Sequence, residues 1–339
     1  MRNQKRKLSI FGATALTLLL ILDADTARTA ATAGIELCIK VIIPSLFPFF
    51  VITGYLNNAL LGLHIPCSKI LRKLLLIPEG CEALLVVGLI GGYPVGAQLV
   101  ADAYNRKLIN KRTTGILLGY CSNAGPAFIF GVAGSLFSSL RIPVYLWMIH
   151  LSAALVTGSL LPRPKEVTHI RFEAGVCSLS QSVRKSMSIC ACVCAWIIIF
   201  KIIIKYLDKF LLKTAHPICY TIIMGLLELS NGCLLLHSLD DEYLRFVIAS
   251  VLLASGGICV ILQTMSVTEN TGLGLYLPGK IIQAGISLIL SLLICPFLFP
   301  DMEISLFTQG SIILISVCVI LLLHKYCKKR CGNLENNHV

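Results

Sequence analysis

Two apolar stretches of this sequence contain residues that interrupt a helix and are suited to binding a small molecule. GGYPVGAQ at 91–98 places glycines and a proline in one stretch, and ELSNG at 228–232 forms a polar break in the other. Glycine and proline unwind a helix and free backbone N–H groups at the start of the next half-helix, where the positive dipole end attracts an anion. Gln98 lies one turn into that half-helix and is a predicted contact. The competing interpretation of this motif is a packed kink.

Glu228 is a carboxylate deep inside an apolar segment. A charge in such surroundings is costly enough to indicate a functional site by default. We predict that Glu228 binds a coupling ion, either a proton or sodium. The structural alternative is a neutral glutamate that is hydrogen-bonded across helices. Ser230 and Asn231 offer donors at the same depth.

Polar residues also lie in two further apolar segments. Ser122 and Asn123 precede Gly125 in one of them, and Gln263 lies in the other. Interhelical hydrogen bonding explains such residues about as often as solute contact does, but their shared depth across four broken segments favours one site. The predicted solute-binding residues are Gly92, Tyr93, Pro94, Gly96, Gln98, Ser122, Asn123, Gly125, Glu228, Ser230, Asn231, Gly232 and Gln263.

Composition identifies the surroundings of these segments as lipid. Of the 339 residues, 56% are hydrophobic and only 14% are charged, and the mean hydropathy is +0.83. A soluble fold of this size cannot bury so much apolar surface. The apolar runs lack the alternation of barrel strands, so helices must satisfy the backbone in lipid. We therefore predict an all-α polytopic membrane protein with a single transport domain over 1–339.

The basic residues indicate how the chain is oriented. The net charge of +12 arises from short loops and from both ends of the chain, at 2–7 and 325–330, beside apolar segments. This is the positive-inside pattern, so we place both termini in the cytoplasm and predict no nucleic-acid partner. A cleaved signal peptide is the alternative for the first segment, which we interpret as a retained helix. The fifteen cysteines lie mostly in apolar segments and are predicted to pack there, without a metal site.

A bilayer core of about 30 Å requires roughly 20 helical residues, and this length divides the chain into spans. Eight candidate spans lie near 8–26, 34–60, 114–137, 144–161, 189–211, 244–265, 281–299 and 309–324. The broken segments 82–105 and 217–239 fit better as re-entrant pairs of half-helices. Basic residues flank the first pair, whereas acidic residues at 240–242 follow the second. The two hairpins are therefore predicted to enter from opposite sides of the membrane.

Lysines 201, 205, 209 and 213 form a stripe with four-residue spacing near the predicted outer end of a span. This position disagrees with the positive-inside pattern. We interpret the stripe as snorkelling or interfacial side chains.

The two halves of the chain align as an internal repeat. Gly96 aligns with Gly232, and Gly125 aligns with Gly257. A broken hairpin followed by a span rich in small residues thus occurs twice, in repeats of about 34–161 and 186–299, before a final helix at 309–324. Opposite orientation of the copies is typical of inverted-repeat transporters.

Five segments in order carry a family resemblance. They are IIPSLFPFFV at 42–51, GGYPVGAQLVADAYNRKLI at 91–109, CSNAGPAFIFG at 121–131, GLLELSNGC at 225–233 and ASGGICVILQ at 254–263. They resemble the YlbJ/SpoVV family of sporulation integral membrane proteins, which belong with the nucleoside-recognition (Gate) domain proteins and are related to concentrative nucleoside transporters. The resemblance implies transport of dipicolinic acid across the outer forespore membrane of endospore-forming bacteria. Gly92 stands where such sequences often carry Ser, and residues 265–280 match less well.

Other classes of function fit the residues less well. The seven histidines are scattered and provide no constellation for a membrane enzyme. An assembly protein of sporulation has no evident need for two polar breaks at the midplane. Within transport, a nucleoside or another small anion is the alternative to dipicolinate. The predicted partners are the lipid bilayer and a small solute, most simply an anion, with no cofactor besides a coupling ion.

Overall fold

The computed structural model describes residues 2–60, 68–75, 77, 81–162, 178–210, 216–269, 271–300 and 306–336. All regular structure in these ranges is helical, with no strand, which confirms the predicted all-α class. The helices are α1 (Arg2–Leu22), α2 (Ala24–Leu37), α3 (Ile43–Leu60), α4 (Ser68–Leu75), α5 (Glu82–Gly91), α6 (Val95–Asn105), α7 (Lys111–Cys121), α8 (Pro126–Gly131), α9 (Arg141–Leu160), α10 (Leu179–Phe210), α11 (Pro217–Leu227), α12 (Leu229–Leu235), α13 (Glu242–Ser255), α14 (Gly257–Val267), α15 (Tyr276–Leu298) and α16 (Leu306–Asn336). A π-helical turn, Cys38–Ile42, joins α2 to α3.

Several helical stretches are long and apolar enough to cross a membrane. Among the described residues these are Ala24–Leu56, Arg141–Leu160, Leu179–Lys209, Glu242–Val267 and Tyr276–Leu298. Ile10–Leu22 and Ile313–Tyr326 are apolar but shorter, at the positions of the first and last predicted spans. The chain is thus a polytopic membrane protein by the length and composition of its helices, and the count of eight crossings stays a prediction.

The predicted break in 82–105 divides this segment into two half-helices. α5 ends at Gly91, and α6 begins at Val95. Gly92 between them has a φ of +82°, which glycine adopts without steric cost. The two arms pack closely, because a Cβ at Gly88 would lie 3.4 Å from the Cα of Gly96.

The second broken segment has the same construction. α11 ends at Leu227, and the extended Glu228 separates it from α12. Glycines again form the contact between the arms, since a Cβ at Gly232 would lie 2.1 Å from the Cα of Gly225. Both segments predicted to be interrupted are therefore pairs of packed half-helices, and their position relative to a membrane stays a prediction.

The predicted span 114–137 is interrupted and is not one continuous helix. α7 ends at Cys121, and α8 begins only at Pro126, with a non-helical stretch between them. Proline has no N–H and disfavours the α region for the residue before it, which explains the break at this position. Similarly, the predicted span 244–265 bends at Gly256, whose left-handed φ of +74° separates α13 from α14.

α15 and the residue before it pack against α7 at two glycines. The Leu275 N–H donates to the Gly115 carbonyl oxygen at 2.9 Å. One turn later, a Cβ at Gly279 would lie 2.1 Å from the carbonyl oxygen of Gly119. This approach of two backbones places the side chains that follow on α15 beside residues 122–125.

Candidate functional site

The chain has helix breaks after α5, α7, α11 and α13. Residues of the first three breaks and of α14, which follows the fourth, line one cavity. Its empty volume is about 410 Å³, including the space at its open mouth. The residues from the breaks and from α14 are Gly92, Tyr93, Ala124, Gly125, Glu228, Leu229, Ser230, Val260 and Gln263, and apolar side chains complete the wall at Ile42, Leu46, Phe128, Val193 and Ile197. A few polar groups in a mostly apolar wall are typical of small-molecule sites.

The breaks hold one another in place through close backbone contacts. A Cβ at Gly125 would lie 2.9 Å from the Cα of Gly92. The Tyr93 hydroxyl donates to the Leu253 carbonyl oxygen at 2.9 Å, which ties the first break to the end of α13. A Cβ at Gly257 would lie 2.9 Å from the carbonyl oxygen of Gly225. Segments far apart in sequence therefore define one site.

Glu228 caps the second half-helix of its own hairpin. Its two carboxylate oxygens accept the backbone N–H groups of Ser230 at 2.9 Å and Asn231 at 2.7 Å. The side chain is buried, yet it lines the cavity. Capping satisfies donors that the start of α12 leaves without helical partners. A role in binding a coupling ion stays a prediction.

Lys201 points into the protein, so the snorkelling interpretation of its stripe is wrong at this position. Its ammonium donates to the side-chain oxygen of Asn231 and lies close enough to Glu228 for charge attraction. Lys205 is exposed, and Lys209 pairs with Asp23. The last lysine of the stripe, at 213, lies outside the described residues. An amide acceptor and a carboxylate on the neighbouring hairpin explain why Lys201 turns inward.

Lys280 is a buried cation that the sequence interpretation missed. It is only 2% exposed, and its ammonium donates to the side-chain oxygens of Gln283 at 2.8 Å and Asn123 at 3.2 Å. The ammonium nitrogen lies 5.1 Å from the ring centroid of Tyr93 and 5.8 Å from that of Tyr276. Gln283 also donates to Asn123 at 2.8 Å, which closes the network.

A local signal for this network was present in the sequence. The predicted span began at 281, which left Lys280 just outside it. Tyr276 and Gln283 lie four residues before and three residues after it, on the same helical face. Polar residues at this spacing, continuing into an apolar segment, indicate that the lysine lies inside the bundle.

The structure divides the predicted site residues into two groups. Those that line the cavity are Gly92, Tyr93, Gly125, Glu228, Ser230 and Gln263. The others are outside its lining: Pro94 precedes α6, Gly96 and Gly232 pack hairpin arms, Gln98 lies on α6, Ser122 lies by the Tyr276 hydroxyl, Asn123 binds Lys280, and Asn231 binds Lys201. Contact of either group with a solute stays a prediction.

Apolar helices whose breaks enclose a partly polar cavity define this chain as a helical integral membrane protein. It is similar to the sporulation integral membrane protein YlbJ of Bacillus subtilis (strain 168), with 27% identity over 165 residues. The match covers 46% of this chain and 40% of that relative's length. No family model matches the chain, and no solved structure does.

The chain is thus a membrane protein distantly homologous to a sporulation protein. This similarity supports the sporulation part of the resemblance seen in the sequence. The relationship to Gate-domain proteins and to nucleoside transporters stays a prediction.

Proposed function

We propose that this chain transports a small solute across a membrane and that the cavity between the helix breaks is its solute site. The observation that carries this proposal is the meeting of three breaks and α14 around one cavity. Non-helical backbone inside an apolar bundle is tolerated where it lines a cavity, and transporters use such broken helices to bind solutes. An assembly protein does not require this arrangement.

The proposed mechanism is that of an inverted repeat, in which the two hairpins approach the solute from opposite sides. Contacts at two ends of the bundle support it. Lys185 pairs with Asp102 at the end that the basic loops mark as cytoplasmic. At the other end, Glu242 accepts from the backbone N–H of Ser138 at 3.1 Å. Each contact joins segments that the charge pattern assigns to the same side.

Labelling of single cysteines tests this orientation. In a variant without the native cysteines, we expect a cysteine at Asp241 to react with an impermeant reagent added to intact cells. A cysteine at Arg106 should react only after permeabilisation, because the two positions are assigned to opposite sides. If the cysteine introduced at position 241 is protected in intact cells and reacts only after permeabilisation, the inverted repeat is excluded.

We propose dipicolinate as the solute to test first. The homologue is a sporulation protein by name, and the family resemblance implies this substrate. Tyr93 and Phe128 line the cavity, and aromatic side chains suit a flat ring. A nucleoside also has a flat ring and is therefore the competing solute.

Uptake into vesicles decides between these solutes. Purified protein in liposomes should accumulate labelled dipicolinate faster than liposomes with an unrelated membrane protein, and unlabelled dipicolinate should compete. Uptake of uridine without dipicolinate would identify a nucleoside carrier instead. Absence of uptake for both solutes and for a panel of small anions, in protein shown to be folded, would refute transport and favour an assembly role.

A further inference from the structure

The charged side chains around the solute site do not balance. Glu228 and Lys201 carry opposite charges and lie close enough to attract each other. Lys280 has two amide oxygens as acceptors, and no carboxylate in the described part of the chain pairs with it. Counted as formal charges, the two lysines therefore exceed the one carboxylate by one.

An excess charge inside an apolar bundle is unfavourable unless another charge compensates it. The amide oxygens of Asn123 and Gln283 and the ring faces of Tyr93 and Tyr276 supply partial negative charge around the ammonium. Dipoles and quadrupoles stabilise a cation less than an ion does. The surroundings of Lys280 thus favour the binding of an anion beside its ammonium group.

The ammonium of Lys280 lies directly behind the cavity wall. Tyr93 lines the cavity, and its ring centroid is 5.1 Å from the ammonium nitrogen. Asn123 immediately precedes Ala124 and Gly125, which also line the cavity. Displacement of the Tyr93 or Asn123 side chain would open a path between the ammonium and a solute in the cavity.

We propose that Lys280 is the binding residue that pairs with a carboxylate of the transported solute and makes the site selective for anions. This assignment rests on the proposed transport function. A solute carboxylate would replace the Asn123 oxygen, which forms the longer of the two bonds to the ammonium at 3.2 Å. Asn123 would keep the hydrogen bond from Gln283 at 2.8 Å, so the exchange leaves no buried acceptor without a donor.

A charged and neutral pair of ligands tests the assignment. Pyridine-2-carboxylate and pyridine-2-carboxamide have nearly the same shape, and only the first is an anion. We expect wild-type protein in nanodiscs to bind the carboxylate about 10-fold to 100-fold more tightly than the amide. Lys280→Met should remove this preference by weakening carboxylate binding alone. Lys205→Met, which removes an exposed lysine, should keep it.

Asn123→Asp provides a second test that does not depend on losing a buried side chain. An aspartate at this position would supply Lys280 with an internal counter-ion of nearly unchanged volume. We expect affinity for pyridine-2-carboxylate and for dipicolinate to fall about 10-fold or more, with amide affinity unchanged. The substitution also removes the Asn123 amide that donates to the Tyr120 carbonyl oxygen at 2.6 Å, so the melting temperature of this variant is measured first to establish that it is folded.

The outcomes separate this assignment from the proposed function. If folded Lys280→Met still prefers the carboxylate as the wild type does, the role of Lys280 is overturned and the transport proposal stands. If Lys280→Met does not fold, the same result in Asn123→Asp has the same meaning. Wild-type protein that neither binds nor transports any solute in the series would refute the proposed function and this assignment with it.

Discussion

Gly96→Ala is expected to abolish transport and to sharply reduce the yield of folded protein. A Cβ at this position would lie 2.1 Å from the carbonyl oxygen of Cys121 and 3.1 Å from the Cα of Ser122. Both neighbours are backbone atoms at the end of α7, so no side-chain rotation relieves the contact. Overpacking typically costs about 1 to 3 kcal/mol, and a contact with backbone atoms that cannot move aside lies at the upper end of this range. Valine at the same position should be at least as harmful.

Gly12→Ala is the matched control for this change. Nothing lies within 4 Å of a Cβ added at Gly12, and alanine favours a helix over glycine by about 1 kcal/mol. We expect this variant to have a melting temperature equal to or slightly above that of the wild type and an unchanged uptake rate. Size-exclusion profile, melting temperature and vesicle uptake should be measured for both variants. Gly96→Ala with wild-type values in all three would show that the arm of the hairpin does not pack against α7.

The sequence predicted the interrupted segments well because their causes are local. Glycine and proline act on their own backbone, so GGYPVGA and the polar run at Glu228 mark breaks wherever the segments pack. Pro126 is an equally local signal, and it marks the interruption that divides the span 114–137 into α7 and α8. The interruption at Gly256 depends on a left-handed φ. Gly256 and Gly257 can adopt this φ, but their sequence alone does not show that they do.

The pairing of Lys280 with Asn123 depends on contacts that no local pattern shows. These residues are 157 positions apart and meet because glycines let α15 approach α7. The predicted span began at 281, so Lys280 was not among the predicted site residues. The same limitation applies to Lys201, whose spacing fits an exposed stripe although its partner, Asn231, lies on another helix.

The cavity was only partly predictable for a related reason. Residues at the breaks were identified as binding residues because their chemistry departs from the apolar surroundings. Val193, Ile197 and Val260 also line the cavity, but they are indistinguishable by type from residues that face lipid. Which apolar side chains face a site follows from the packing of helices, and the sequence alone does not contain a sufficient signal for it.

Glu228→Ala is expected to destabilise the protein by about 3 to 5 kcal/mol. The change leaves the backbone N–H groups of Ser230 and Asn231 without their acceptor and removes the negative charge near Lys201. Buried donors without partners and an uncompensated buried cation are each unfavourable. Glu228→Gln keeps one oxygen to cap α12, so its effect should be smaller, at about 1 to 3 kcal/mol.

Combining Glu228→Gln with Lys201→Met separates stability from ion coupling. The double variant removes both charges, so it should be more stable than Glu228→Gln alone, and a double-mutant cycle of melting temperatures measures this recovery. If Glu228 binds the coupling ion, recovered stability should not restore the response of uptake to an imposed proton or sodium gradient, because the ion's ligand remains absent. Wild-type gradient dependence in the stable double variant would show that Glu228 has only a structural role, as the cap of α12.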